Sequence, residues 1–180
     1  MLPFDEILNF WFVEIDSKLW WKKDTDFDQL IQNRFGALHT SATMGELYTW
    51  RTESRGRLAE IIILDQFSRN IFRGNARSFA FDSMALVLSQ EAVMRGADHS
   101  LRTAEKSFLY LPYMHSESVA IHQQAVRLFQ QPGLEDNLKF EYRHKAIIDR
   151  FGRYPHRNDI LGRTSTDEEL EFLKQPGSSF

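Results

Sequence analysis

A chain of 180 residues, 42% of them apolar, is long enough to bury a sizeable core, and its fifteen Phe, four Trp and five Tyr argue against disorder. Its net charge of −3 gives no overall field to attract nucleic acid or an anionic membrane, and the absence of cysteine excludes disulfides, thiolate zinc sites and thiol nucleophiles. With no basic N-terminal region and no apolar run that could span a bilayer, we predict a single cytoplasmic domain over residues 1–180.

Apolar residues recur at helical spacing along most of the chain. The pattern predicts helices over residues 3–14, 26–45, 57–72, 78–95, 101–111, 115–129, 138–151 and 166–173. The fifth of these is expected to stop before Pro112, and the residues from Gln175 onward are expected to form a loose tail. No segment alternates apolar and polar residues over the length of a strand. We therefore predict an all-α fold of seven to eight helices without a sheet.

The helix over 57–72 places charged residues on a face that is otherwise apolar. Asp65 and Arg69 are one helical turn apart and can form an ion pair. One interpretation is a structural pair inside the core. The other is that Arg69, with Asn70 and Arg73, reaches a cavity and binds a ligand there, while Asp65 fixes the orientation of Arg69.

A second polar segment follows the helix predicted over 138–151. Residues 139–163 hold seven cations and three anions. Its candidate ligand-binding residues are Arg150, Arg153, Arg157 and Asn158, because the planar guanidinium group binds carboxylate or phosphate through two parallel hydrogen bonds. Asp149 is, like Asp65, a candidate for a structural ion pair.

The histidines supply candidates for acid–base chemistry, since imidazole exchanges protons near neutral pH. His144 and His156, with Glu117, are the catalytic candidates, and His115 is expected to line the same site. His115 and His122 share one face of the helix predicted over 115–129, but about 10.5 Å separates them along its axis, too far to bind one metal ion. A metal site built from His115, Glu117, His144 and His156 is a weaker alternative. We predict no metal and no cofactor.

Three blocks of sequence resemble one bacterial family. They are residues 63–74 (ILDQFSRNIFRG), 108–117 (FLYLPYMHSE) and 151–158 (FGRYPHRN) followed by 161–166 (LGRTST). On these blocks the chain is similar to the family called domain of unknown function 924. The resemblance implies an all-helical, right-handed array of helical hairpins of the tetratricopeptide-like class, and no established activity. The chain departs from the family pattern at Val13, where glycine is usual, and at Ser68, where proline is usual.

Three functional hypotheses follow. The first is a site for a small anion, formed where the helix of Arg69 meets the loop of Arg150 to Asn158, which binds or turns over a metabolite with a carboxylate or phosphate group. The second is an interaction module that binds a peptide or protein in a concave helical groove. The third is an internal network of ion pairs with a purely structural role. No nucleic-acid or membrane partner is expected.

Overall fold

The computed structural model describes residues 3–180; Met1 and Leu2 lie outside the described residues. Helix α1 is Pro3–Asn9 with a π-helical turn over Phe10–Glu14, and α3 is Ser54–Ile62 followed by a π-helical turn over Ile63–Phe67 and by Ser68–Ile71. The other helices are α2 (Thr25–Thr43), α4 (Asp82–Met94), α5 (Thr103–Met114), α6 (Val119–Phe129), α7 (Glu135–Phe151) and α8 (Asp167–Leu173). Counted in this way, residues 3–180 form eight helices and no strand, which confirms the predicted fold class.

Helix α3 is the central helix of the domain. All of its residues from Leu58 to Phe67 are buried, and it packs against α1, α4 and α5, while α2 packs along its C-terminal part. The indole of Trp11 fills the space between α1, α3 and α5, with ring centres 5.5 Å from Phe67 and 5.6 Å from Phe108. Because α3 is enclosed on every side, each polar group in its middle needs a partner within the protein.

From α4 to α7 each helix packs against the next one along the chain, as in successive helical hairpins. Gly96 and Gly152 end α4 and α7 in the left-handed conformation, with φ of 69° and 67°, as their positions predict. Thr166 and Glu169 form the predicted capping box at the start of α8. The right-handed, tetratricopeptide-like sense of the array stays a prediction. In the described part of the chain, no helix is long and apolar enough to cross a membrane.

The predicted helix end at Pro112 and the predicted start of the next helix at His115 are both wrong, and this error moves a candidate residue. Helix α5 does not stop before Pro112 but continues to Met114. The proline removes one hydrogen-bond donor, yet Leu111, Tyr113 and Met114 are all buried, so packing keeps the helix together. His115 consequently lies at the C-cap of α5, where its amide donates to the carbonyl of Leu111, and not on the face of α6.

Candidate functional site

Two arginines from distant parts of the chain meet at one carboxylate, Asp82, at the start of α4. Arg69, in the last part of α3, binds this carboxylate with both terminal nitrogens, Nη1 to Oδ1 at 2.9 Å and Nη2 to Oδ2 at 3.0 Å. Arg157, in the 3₁₀ turn Pro155–Arg157, places Nη1 3.4 Å from Oδ2 of the same group. The structure thus brings one residue from each of the two predicted arginine segments to the same point.

A buried Asp–His pair lies directly behind Arg69. Asp65 is 1% exposed, and its Oδ1 lies 2.7 Å from Nδ1 of His115 and 3.1 Å from Nη1 of Arg69. Burial raises the pKa of Asp65, but Arg69 and His115 outweigh burial and hold this pKa below its usual value. Burial and Arg69 lower the pKa of His115, so near neutral pH its Nδ1–H donates to Asp65 and its Nε2 carries no proton. We call Asp65, Arg69, Asp82, His115 and Arg157 the Asp82 cluster.

Arg157 is buried but has few hydrogen-bond partners. Its side chain is 8% exposed and lies between two aromatic rings, with Cζ 4.6 Å from the ring centres of both Phe79 and Tyr154. Its Nε has no hydrogen-bond partner among residues 3–180, and its contact with Asp82 is long for a charge-assisted bond. Burial and the neighbouring Arg69 lower the pKa of Arg157. This guanidinium group therefore keeps donors for a further acceptor.

Two neutral imidazoles flank Tyr154 beside Arg157. The ring centres of His144 and His156 lie 5.8 Å and 5.5 Å from that of Tyr154. Nδ1–H of His144 donates to the carbonyl of Phe140 at 2.8 Å, and burial lowers the pKa of His144 to about 3. Burial and Arg157 lower the pKa of His156 to about 4, and its Nδ1 is unpartnered within the described chain. Both side chains are therefore uncharged at neutral pH.

The ring of Phe180 covers this part of the site. It stacks on His144 with ring centres 3.7 Å apart and an angle of 21° between the planes, and its centre lies 5.9 Å from that of His156. Ser178 is buried, and its hydroxyl donates to the carbonyl of Leu173 at 3.1 Å. The C-terminal tail, which the sequence predicts to be loose, thus contacts the body of the domain.

Asn70 and Arg73 do not join the Asp82 cluster, so the structure does not bring these two predicted ligand-binding residues together with Arg69. Both bind Asp28 of α2, Asn70 through Nδ2 at 2.8 Å and Arg73 through Nε at 2.5 Å and Nη2 at 2.7 Å. The helical rotation from Arg69 to Asn70 directs the two side chains towards different neighbours, α4 and α2.

Arg150 and Arg153 also lie outside the cluster, because α8 packs back beside them. Nε of Arg150 donates to Glu168 at 2.9 Å, and Arg153 binds both oxygens of Glu169 at 2.6 Å and 2.7 Å. Asp149 is exposed and pairs at the surface with a lysine one helical turn earlier. The structure thus pairs both arginines with α8 and places the ion pair of Asp149 at the surface; the predicted role of the two arginines in ligand binding stays a prediction.

Glu117 and Asn158 hold the loop in place. Glu117 accepts the amide N–H of Tyr154 at 2.8 Å and both terminal nitrogens of Arg163 at 2.6 Å and 3.0 Å. Burial raises the pKa of Glu117, but Arg163 and the amide outweigh it and keep the pKa below its usual value. Oδ1 of Asn158 accepts from Nε of Arg163 at 2.9 Å. Glu117 and Asn158 thus bind groups of the loop itself, and their predicted roles in catalysis and ligand binding stay predictions.

Asp82 and the two rings that enclose Arg157 were not among the predicted site residues. Phe79 and Tyr154 resemble ordinary core aromatics in the sequence, and Asp82 resembles an acid that stabilises the first turn of a helix. Within residues 3–180, no three His, Asp or Glu side chains lie together as metal ligands, so the weaker alternative of a metal site is not formed there.

The stability of the fold is expected to fall as the pH drops from 7 to 5. In the unfolded chain His144 binds a proton below about pH 6.5, whereas in the folded chain it stays neutral until about pH 3. Between these values the unfolded state binds more protons, so the free energy of unfolding decreases as the pH falls. At pH 5 this effect of His144 lowers the free energy of unfolding by about 2 kcal/mol.

Urea unfolding at several pH values measures this loss. In His144→Gln the decrease in the free energy of unfolding between pH 7 and pH 5 is expected to be smaller than in the wild type by about 2 kcal/mol. His99→Gln, at an exposed histidine, is the matched control. The same pH dependence in His144→Gln and in the wild type would contradict a neutral His144 in the fold.

Comparison with known proteins agrees with the resemblance noted in the sequence. A family model described as "Bacterial protein of unknown function (DUF924)" matches residues 7–177. The structure of the protein of unknown function ATU0120 from Agrobacterium tumefaciens has 38% sequence identity and a TM-score of 0.90, over 95% of this chain and 96% of the other. No curated protein matches the chain. Since the family model covers nearly the whole sequence, this chain belongs to the bacterial DUF924 family.

Proposed function

We propose that the Asp82 cluster binds a small ligand with a carboxylate or phosphate group, and that Arg157 contacts this group. The proposal rests on the unequal contacts that Asp82 makes with the two arginines. Arg69 occupies both oxygens at 2.9 Å and 3.0 Å, whereas Arg157 has one contact at 3.4 Å. A buried guanidinium group is stabilised when a carboxylate or phosphate fills its fork, and a ligand anion would do so for Arg157.

The surroundings of Arg157 support the same function. The rings of Phe79 and Tyr154 restrict the guanidinium group from two sides, so its remaining donors are held in one orientation before a ligand arrives. Asp65 and Asp82 fix Arg69 behind it. A ligand would therefore bind without ordering long, flexible side chains.

A second candidate function is turnover of the same ligand by proton transfer. The Asp65–His115 pair favours it, because the carboxylate holds Nδ1–H and leaves the lone pair of Nε2 available as a base. His115 is 16% exposed, so solvent or a small molecule can reach its ring. The neutral imidazoles of His144 and His156 are the further acid–base candidates on the Tyr154 side.

Phe180 would compete with the ligand for this space. Its ring is stacked on His144, but the residue is 46% exposed, so only part of its apolar surface is uncovered when the ring moves away. A protein whose binding-competent state is only partly populated shows a correspondingly weaker apparent affinity. The proposal therefore includes a C-terminal ring that moves before the ligand binds.

A thermal-shift and calorimetric screen against carboxylates and phosphate esters tests the proposal, with each hit followed by NMR for conversion. Arg157→Gln is expected to weaken the binding of a hit by about tenfold or more, since it removes a charge-assisted pair of hydrogen bonds. Phe180→Ala is expected to strengthen it a few-fold. Arg150→Gln is the matched control, because its side chain is 47% exposed and is paired with Glu168.

Two outcomes would count against an anion site. One is the absence of any hit with the wild type and with Phe180→Ala. The other is a hit that Arg157→Gln binds as tightly as the wild type while the variant unfolds at lower denaturant concentration. That second result would assign the charged residues to a structural network only.

A further inference from the structure

An open groove of about 580 Å³ lies beside the 3₁₀ turn Tyr48–Thr52, the start of α3 and the C-cap of α4. Three arginines, Arg51, Arg57 and Arg95, line it, and none of its lining residues belongs to the Asp82 cluster. A cavity with three guanidinium groups in its wall is a separate candidate for ligand binding.

Glutamates hold these arginines in place without using all their donors. Nε and Nη2 of Arg51 bind Glu60 at 2.7 Å and 2.6 Å, and Glu60 is fully buried. Arg57, through Nη1, and Arg95, through Nε, bind the two oxygens of the same residue, Glu91. These bonds leave Nη1 of Arg51, Nε and Nη2 of Arg57 and both terminal nitrogens of Arg95 for other acceptors.

The charges in the groove favour an anion. The three arginines and the two glutamates that bind them carry one formal positive charge in total; the exposed carboxylate of Glu53 at the start of α3 is not among the lining residues. Helix α3 begins at Ser54, which lines the groove, and its N-cap residue Glu53 makes no capping hydrogen bond with its side chain. The first amide groups of α3 and the positive end of its dipole add to the attraction. Phosphate, with its several acceptor oxygens, can bind more than one of these donors at once.

Tyr48 indicates what else such an anion would carry. It also lines the groove, and it is 65% exposed. An exposed aromatic ring next to arginines offers a flat surface on which a planar group can stack, as in the recognition of nucleobases. We propose that this groove binds a phosphate ester with an aromatic base, of the nucleoside phosphate class, with the phosphate on Arg57 and Arg95 and the base on Tyr48.

Isothermal titration of the full chain with AMP and with pyrophosphate tests the proposal. Both probes are expected to bind. The binding free energy divided by the number of phosphate groups is expected to be larger for AMP than for pyrophosphate. Arg95→Gln is expected to weaken both by about tenfold, because it removes charge-assisted hydrogen bonds. Its side chain is 68% exposed, so the substitution is expected to leave the fold intact. Tyr48→Ala is expected to weaken AMP several-fold and to leave pyrophosphate unchanged.

Arg150→Gln, whose side chain lies outside both sites and is paired with Glu168, is the control and is expected to leave the binding of both probes unchanged. Arg157→Gln reports on any probe that binds at the Asp82 cluster instead of the groove. Loss of binding in Arg157→Gln, with full binding in Arg95→Gln, would overturn the proposal and assign the probes to the Asp82 cluster. No saturable binding of either probe would also overturn it. Equal binding of AMP by Tyr48→Ala and wild type would overturn the assignment of an aromatic ligand.

Discussion

Replacing Asp65 with alanine is expected to lower the free energy of unfolding by about 3–5 kcal/mol, as for other broken buried ion pairs. The carboxylate is 1% exposed, accepts hydrogen bonds from Gln66 and His115, and forms an ion pair with Arg69. Without it, His115 has a buried donor with no acceptor, and two arginines share the single carboxylate of Asp82. Urea unfolding of the wild type and the variant, compared at equal m-value, measures the loss.

Two further variants separate the causes of this effect. Asp65→Asn keeps an oxygen in place for His115 and removes only the charge, so the expected loss is smaller, about 1–3 kcal/mol. Asp149→Ala breaks the surface pair with Lys145 and is expected to cost less than about 0.5 kcal/mol. Equal losses in Asp65→Ala and Asp149→Ala would show that Asp65 does not hold the cluster together.

The helices could be predicted from the sequence because each shows a repeating apolar face and a local end signal. Gly96, Gly152 and the capping box of Thr166 and Glu169 are such signals, and all three form as predicted. The helix end near Pro112 could not be predicted in this way. Its continuation depends on burial of the residues around the proline, which is a property of the packed domain and not of the local sequence.

The candidate site was less predictable, because most of its contacts join residues far apart in the chain. The pairing of Asp65 with Arg69 follows from their spacing of one helical turn. No spacing rule shows that Arg69 and Arg157 both contact Asp82, or that Arg150 and Arg153 are instead paired with α8. Charge density in the sequence shows that residues 139–163 are cationic, whereas only the fold shows that Arg150 and Arg153 are paired with α8 and that the buried Nε of Arg157 has no partner among residues 3–180.

Replacing Glu141 with alanine is expected to lower the free energy of unfolding by about 3–5 kcal/mol, as for Asp65→Ala. The substitution removes a buried carboxyl group outside the Asp82 cluster. Glu141 on α7 and His122 on α6 are both 0% exposed, and Oε1 lies 2.7 Å from Nδ1. Nε2–H of His122 donates to the carbonyl of Ser116 at 2.8 Å, so Nδ1 and Glu141 share the remaining proton. Burial raises the pKa of Glu141 against the opposing effect of His122.

Glu141→Gln tests where the proton lies, because an amide N–H can donate to Nδ1 as a protonated carboxyl group does. We expect this variant to lose about 1–2 kcal/mol, well below the loss in Glu141→Ala. Asp136→Ala, at an exposed acid on the same helix, is the matched control. A glutamine variant as unstable as the alanine variant would show an imidazolium–carboxylate ion pair instead, since only a charged partner loses that much when the shape is kept. An alanine variant as stable as the control would mean that the pair contributes nothing to the packing of α6 on α7.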